Sequence, residues 1–240
     1  MKIQIFSDTH LEAYSEPKAL WDKVHPGADI AVIPGDVCTE NFEMAIREIS
    51  WKFKHVIVVL GNHDYAGQYI NWKPSVPENV HVLNNSSVEF DGVVFAGNTL
   101  WTNLNNNDWF VMNKVNKLVP DFSDIKNFST NESVSQNKSH SKFLHDTVRE
   151  TDKPLVIVTH FLPSYNLITD RWKTVSNEML NHYFHGNCDH IINDCKPGTV
   201  WCFGHTHDRI DTEINDVRFI CNPVGYRGYK SQYQHTVIEI

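Results

Sequence analysis

The sequence predicts a single α/β domain, and three observations point that way. Short apolar, β-branched runs alternate with helical stretches from Lys2 to Leu60, the pattern of parallel strands joined by crossover helices. A chain of 240 residues suits one large domain and is long enough to bury a sizeable core. Its 41% hydrophobic and 21% charged residues are those of a globular protein, not of a disordered or collagen-like one.

The elements follow in order. Lys2–Phe6 reads as a strand that runs into Ser7-Asp8-Thr9-His10. Pro17–Val24 predicts a short helix with proline in its first turn. Asp29–Ile33 reads as a second strand, ending at Pro34-Gly35-Asp36. Thr39–Lys54 sets Phe42, Ala45, Ile46, Ile49 and Phe53 at helical spacing. His55–Leu60 is a third strand, stopping at Gly61-Asn62-His63-Asp64. Strands also fit Val80–Leu83, Ser87–Phe90 and Val93–Ala96, the last two joined at the turn dipeptide Asp91-Gly92. From Thr99 to Asn137 periodicity weakens and polar residues dominate. Such a stretch reads as a lid or mobile loop, so residues 1–240 form one domain with a lid-like insertion at about 99–137. A helix over Ser133–Glu150 carries Phe143, Leu144, Thr147 and Val148 on one face. Two more strands, Leu155–Val158 and Thr199–Phe203, end at Thr159-His160 and Gly204-His205-Thr206-His207. Beyond Val200, runs at Arg209–Ile214, Val217–Cys221 and His235–Ile240 read as antiparallel β.

Charge and composition exclude several classes. With 21 Lys+Arg against 29 Asp+Glu the net charge is −8, which argues against extended nucleic-acid binding. A phosphate ligand remains compatible if bound metal supplies the positive charge. No apolar run reaches the ~20 residues of a membrane span, and the N-terminus turns polar too soon for a signal peptide. Five cysteines without C-x-x-C spacing suggest free thiols in a reducing compartment, so a cytoplasmic location is expected.

Five strand ends carrying His, Asp and Asn are what one shared site looks like in sequence, because ligands of open α/β sheets collect beyond the carboxyl ends of strands. Asp8 and His10, two apart on what reads as extended backbone, project to the same side, and His205 and His207 repeat the spacing. Asp8, His10, Asp36, Asn62, His160, His205 and His207 offer two carboxylates, four imidazoles and an amide. That set suits Mn, Fe or Zn, and seven ligands fit two divalent ions that share a carboxylate. His25, His55, His81, His140, His145, His182, His185, His190 and His235 lack partners at ligand spacing and are assigned surface or packing roles.

D-x-H, G-D, G-N-H-D, a lone His after a strand, and G-H-x-H, in that order, resemble the calcineurin-like metallophosphoesterases. The resemblance spans Lys2 to about Gly225 and is nearest to small bacterial and bacteriophage members, through Thr99–Thr102 and Asn222–Tyr226. It implies a four-layer αββα sandwich of two mixed β-sheets flanked by helices. It also implies that Asp8, His10 and His207 hold one metal, Asn62, His160 and His205 a second, and that Asp36 bridges them. By the same resemblance a metal-bridging hydroxide attacks phosphorus in line, His63 is the general acid and Asp64 orients it. Manganese is the expected metal pair, with iron or zinc as alternatives. The expected partner is a small phosphoester, with a diester favoured over a monoester because a general acid helps most with a poor leaving group. Trp101 and Arg227 are candidates for substrate contact. Trp109 and Tyr65 are candidates for the pocket wall, and Arg171 and Lys230 for the substrate phosphate. A catalytically silent metal-binding scaffold is the alternative reading.

Overall fold

The structure, a computed structural model, describes the chain except residues 15, 22, 23, 25 and 227–231 and the side chain of Pro17. The apolar runs form strands as expected. In the first sheet β1 (Lys2–Ile5), β2 (Ile30–Ile33), β3 (His55–Val58) and β4 (Val80–Val82) lie parallel. In the second, β5 (Ser86–Phe90) and β6 (Val93–Asn98) form the expected hairpin, and β7 (Leu155–Thr159) and β8 (Val200–Phe203) continue in parallel.

The C-terminal strands depart from the all-antiparallel expectation. β9 (Ile210–Ile214) and β10 (Val217–Cys221) do form a hairpin, closed by Asn215 and Asp216 with φ of 53° and 60°. However, β10 inserts beside β8 and pairs parallel to it, while β9 takes the outer edge. β11 (Val237–Glu239) leaves this sheet and lies antiparallel on β1 of the first, giving the order β11-β1-β2-β3-β4. Burial decides this: Ile238 enters the apolar layer between the sheets, a contact that local patterning cannot encode.

Alternation along the strands builds the layers. Ile3, Ile5, Ile30, Val32 and Ile57 pack in one cluster with Phe95, Val156, Val158 and Cys202 of the second sheet. The opposite face, Ala31, Ile33, Val56 and Val58, is buried with Phe42, Ala45, Ile46 and Ile49 of α2 (Phe42–Ser50). Two mixed sheets of five and six strands, flanked by helices, result. The first helix, α1, covers Pro17–Trp21.

The segment 99–137 is not an irregular loop. It holds α3 (Leu104–Asn107), α4 (Trp109–Leu118), α5 (Asp121–Asp124) and the start of α6 (Thr130–Glu150). Asp108 caps α4 by accepting from the Phe110 and Val111 N–H groups, and Ser129 caps α6 by accepting from Glu132. α3, α4 and α5 are short, and α4 buries only a narrow stripe, Val111 and Val115, which is why their period is faint in sequence. α3 is a turn whose four residues all have positive φ, from 49° to 66°, a conformation asparagine tolerates. Two further short helices, α7 (Glu178–Asn181) and α8 (Asp189–Asp194), precede β8. Among the described residues no helix is long and apolar enough to cross a membrane.

Candidate metal centre

The loops after β1, β2, β3, β7 and β8 meet at the carboxyl edge of both sheets and bring together all seven residues proposed as ligands. Asp8, His10, Asp36 and His207 offer donor atoms within 4.8 Å of one another, and Asp36, His160 and His205 do the same. Asp36 belongs to both sets. The Asn62 amide oxygen lies 2.9 Å from His160 Nε2 and 3.1 Å from His205 Nδ1, which adds it to the second set.

The backbone reaches this arrangement differently from the sequence reading. Asp8, His10, Asp36, His205 and His207 are not extended but have φ of 49°, 43°, 53°, 67° and 52°. Left-handed residues other than glycine each cost of order 1–3 kcal/mol and cluster at functional sites. Here hydrogen bonds offset the strain. The Asp8 N–H donates to Gly35 O, the His10 N–H to Asp36 O, and the His205 N–H to Asp8 Oδ1 at 2.9 Å. Gly61 is required by close approach, since a Cβ there would lie 2.1 Å from Asp36 Oδ1.

The donor set fits cations. His160 Nδ1 donates to the Pro34 carbonyl at 2.8 Å, so on a neutral ring Nε2 carries a lone pair. Asn62 Nδ2 donates to Asp121 Oδ1 at 3.1 Å, which turns the amide oxygen toward that lone pair. Two acceptors thus face each other at 2.9 Å. His10 repeats the pattern: its Nδ1 donates to Glu12 at 3.1 Å, and its Nε2 faces His207 Nε2 at 3.1 Å. Lone pairs converging on a common point are satisfied by a bound cation, and ring N–H groups anchored from behind are how metal-binding histidines are held.

Electrostatics agree. Burial works to raise the Asp36 carboxyl, but His160, His63, His10 and His205 override it and hold it below the usual carboxylate range. Burial keeps His205 and His207 below the ordinary imidazole range, in the neutral form a metal requires. Burial would lower His10 too, yet the Glu12 hydrogen bond and the Asp36 and Asp8 charges raise it. Among the described residues His205 Nε2 is buried without a partner, its ring packed against Phe161 and Phe184.

The remaining site candidates divide. His63 lines a cavity of about 520 Å³ above the cluster, together with Asn62, Glu12, Thr39, Leu118, Asp121, Phe184, His205 and Tyr226. Asp64 does not orient it. The Asp64 carboxylate accepts from the N–H groups of Asp36, Val37, Cys38 and Gly61 at 2.8–3.0 Å, and among the described residues no hydrogen bond joins it to the His63 ring. Burial and the Asp36 charge push its acid up to about 7, against the pull of those donors. Trp101 is fully buried against Tyr65, Phe128 and Phe161, so it is a core residue and not a substrate contact. Tyr65 is buried with it, and Trp109 is exposed on α4 outside the cavity lining. Arg171 pairs with Asp208. Arg227 and Lys230 lie outside the described residues.

Sequence reasoning missed Glu12, Thr39, Asp121 and Tyr183. Glu12 and Thr39 follow His10 and Asp36 by two and three positions, a spacing that offered a faint signal. Asp121, which accepts from Asn62 and from the Tyr183 hydroxyl, offered none.

The model of the calcineurin-like phosphoesterase family matches residues 1–209. The chain belongs to this family. It is 24% identical over 269 residues to an uncharacterized protein of Acanthamoeba polyphaga mimivirus, with 96% of this chain and 93% of that one covered. The crystal structure of the phosphopantetheinyl hydrolase of Mycobacterium tuberculosis superposes with a TM-score of 0.69 over 94% of this chain and 89% of that chain, at 15% identity. At that identity the likeness is one of fold. Calcineurin-like phosphoesterases bind divalent metals, and the clusters described above are where this member offers the donors.

Proposed function

We propose that this protein is a dinuclear metal-dependent phosphoester hydrolase that prefers phosphodiesters, with His63 as general acid. The observation that carries the reading is the pair of converging donor sets sharing Asp36. Asp8, His10 and His207 would hold one cation with Asp36, and Asn62, His160 and His205 the other. When bound, the two cations supply a water acidified toward pKa ~7 and positive charge for the phosphate oxygens. Manganese suits the mixed nitrogen and oxygen set.

The chain's own residues do the rest. Asp121 and Tyr183 hold the Asn62 amide with its oxygen facing the cluster. His63 lines the cavity and gives its ring proton to the departing oxygen, a contribution typically of 10²–10⁴-fold. Leu118, Val119, Pro120 and Phe184 form an apolar wall for the organic group. Glu12, Asp121 and Asp124 also line the cavity, and no Lys or Arg does among the described residues. A monoester dianion meets more repulsion from these carboxyl groups than a diester monoanion, which supports the diester preference. Five free cysteines, four of them buried, support a reducing, cytoplasmic setting.

The test is hydrolysis of bis-p-nitrophenyl phosphate and p-nitrophenyl phosphate with Mn²⁺. Turnover should be lost on chelation, be higher on the diester, and fall at least 100-fold in Asp36→Asn. Two ions bound with no turnover on either ester would leave a silent scaffold. A faster monoester reaction would overturn the diester preference.

A further inference from the structure

We propose that Thr39, itself anchored by Glu12, is the positioning residue that sets the His63 ring with Nε2 toward the substrate; the proposal rests on the hydrolase reading above. Thr39 lies on the loop between β2 and α2, and Glu12 in the 3₁₀ turn Leu11–Ala13 after β1. Both line the same cavity as His63. Glu12 holds Thr39 at two points: Oε2 accepts the Thr39 N–H at 3.0 Å and Oε1 the hydroxyl at 2.9 Å. With its proton committed to a carboxylate, Thr39 Oγ1 has only lone pairs left to offer. His63 Nδ1 is 3.3 Å away, so the contact is satisfied when Nδ1 carries the hydrogen. That leaves Nε2 as the nitrogen that meets the leaving oxygen.

The same Oε1 also accepts from His10 Nδ1. The two rings stand edge to face, 4.8 Å between centroids at 88°. One carboxylate therefore anchors a residue of the donor cluster directly and the proton donor through a hydroxyl. In the step this serves, the Nε2 proton of the imidazolium passes to the leaving oxygen as the P–O bond breaks. The neutral ring left behind keeps its Nδ1 hydrogen on Thr39.

The experiment compares Thr39→Val, which keeps the shape and removes the hydroxyl, with Thr39→Ser, which restores it. Each is assayed with Mn²⁺ on methyl phenyl phosphate and methyl 2,4-dinitrophenyl phosphate. Thr39→Val should lower kcat about ten-fold or more on the phenyl ester, whose leaving group needs a proton. It should stay within about three-fold on the dinitrophenyl ester, with KM unchanged, and Thr39→Ser should recover most of the loss. A second readout needs no turnover: ¹⁵N ring spectra of the metal-free protein, with the His63 signals identified by their absence in His63→Gln. Wild type should show the Nδ1–H form, and Thr39→Val a mixture with Nε2–H. Equal losses on both esters, no loss on either, or a ring form unchanged by Thr39→Val would overturn the proposal. If wild type hydrolyses neither ester, the hydrolase reading fails, and the ring spectra alone decide whether Thr39 sets the tautomer.

Discussion

Asp64→Asn separates two roles for a residue that the family resemblance tied to catalysis. In the structure each carboxylate oxygen accepts two backbone N–H groups: Oδ1 those of Val37 and Cys38, Oδ2 those of Asp36 and Gly61. An asparagine is nearly isosteric but has one acceptor oxygen. Whichever way its amide is turned, its NH₂ faces two buried N–H donors that then lack an acceptor. Each stranded donor costs about 1–3 kcal/mol, so the variant should lose roughly 2–6 kcal/mol of a stability that is typically 5–15 kcal/mol. For a domain of this size each kcal/mol lowers Tm by about 2–4 °C, a predicted fall on the order of 5–20 °C. The assay is thermal and urea unfolding of the metal-free protein at pH 8, above the Asp64 pKa of about 7. A wild-type Tm accompanied by a rate loss confined to esters with poor leaving groups would refute this reasoning. It would return Asp64 to the role of orienting His63.

Two other outcomes are expected. Gly61→Ala drives a methyl to within 2.1 Å of Asp36 Oδ1 and 2.6 Å of Asp36 N, so the shared carboxylate must shift. Calorimetric titration with Mn²⁺ should show both sites weakened about ten-fold or more, and wild-type affinities would contradict the close packing. His140 is buried on α6 and burial pushes its pKa down to about 3, while in the unfolded chain it titrates near 6.5. A folded pKa below the unfolded one leaves stability intact above about pH 6.5 and erodes it as pH falls toward 3. At pH 5 the loss amounts to about 1.5 pKa intervals, or roughly 2 kcal/mol. Urea unfolding of His140→Leu should remove that part of the acid sensitivity. A variant whose stability falls between pH 7.5 and 5 as steeply as the wild type would show that the loss lies elsewhere.

What the sequence determined by itself was the set of strands and the chemistry at their ends. A β-branched run stopping at Asp, Asn or His is a local pattern, and β1, β2, β3, β7 and β8 all carry it. The order of those motifs was enough to expect a family, a fold and seven candidate ligands. Only the tertiary structure decided how the side chains are held. The left-handed turns at Asp8, His10, Asp36, His205 and His207, the four N–H groups on Asp64, and the path from Glu12 through Thr39 to His63 leave no periodic trace. The same is true of β10 settling beside β8 and of β11 crossing to the first sheet. Each depends on partners brought together from distant positions, as His10 and His207 are across 197 residues. Periodicity records which face of an element is buried. Hydrogen-bond direction and lone-pair convergence arise only once separate elements share one space.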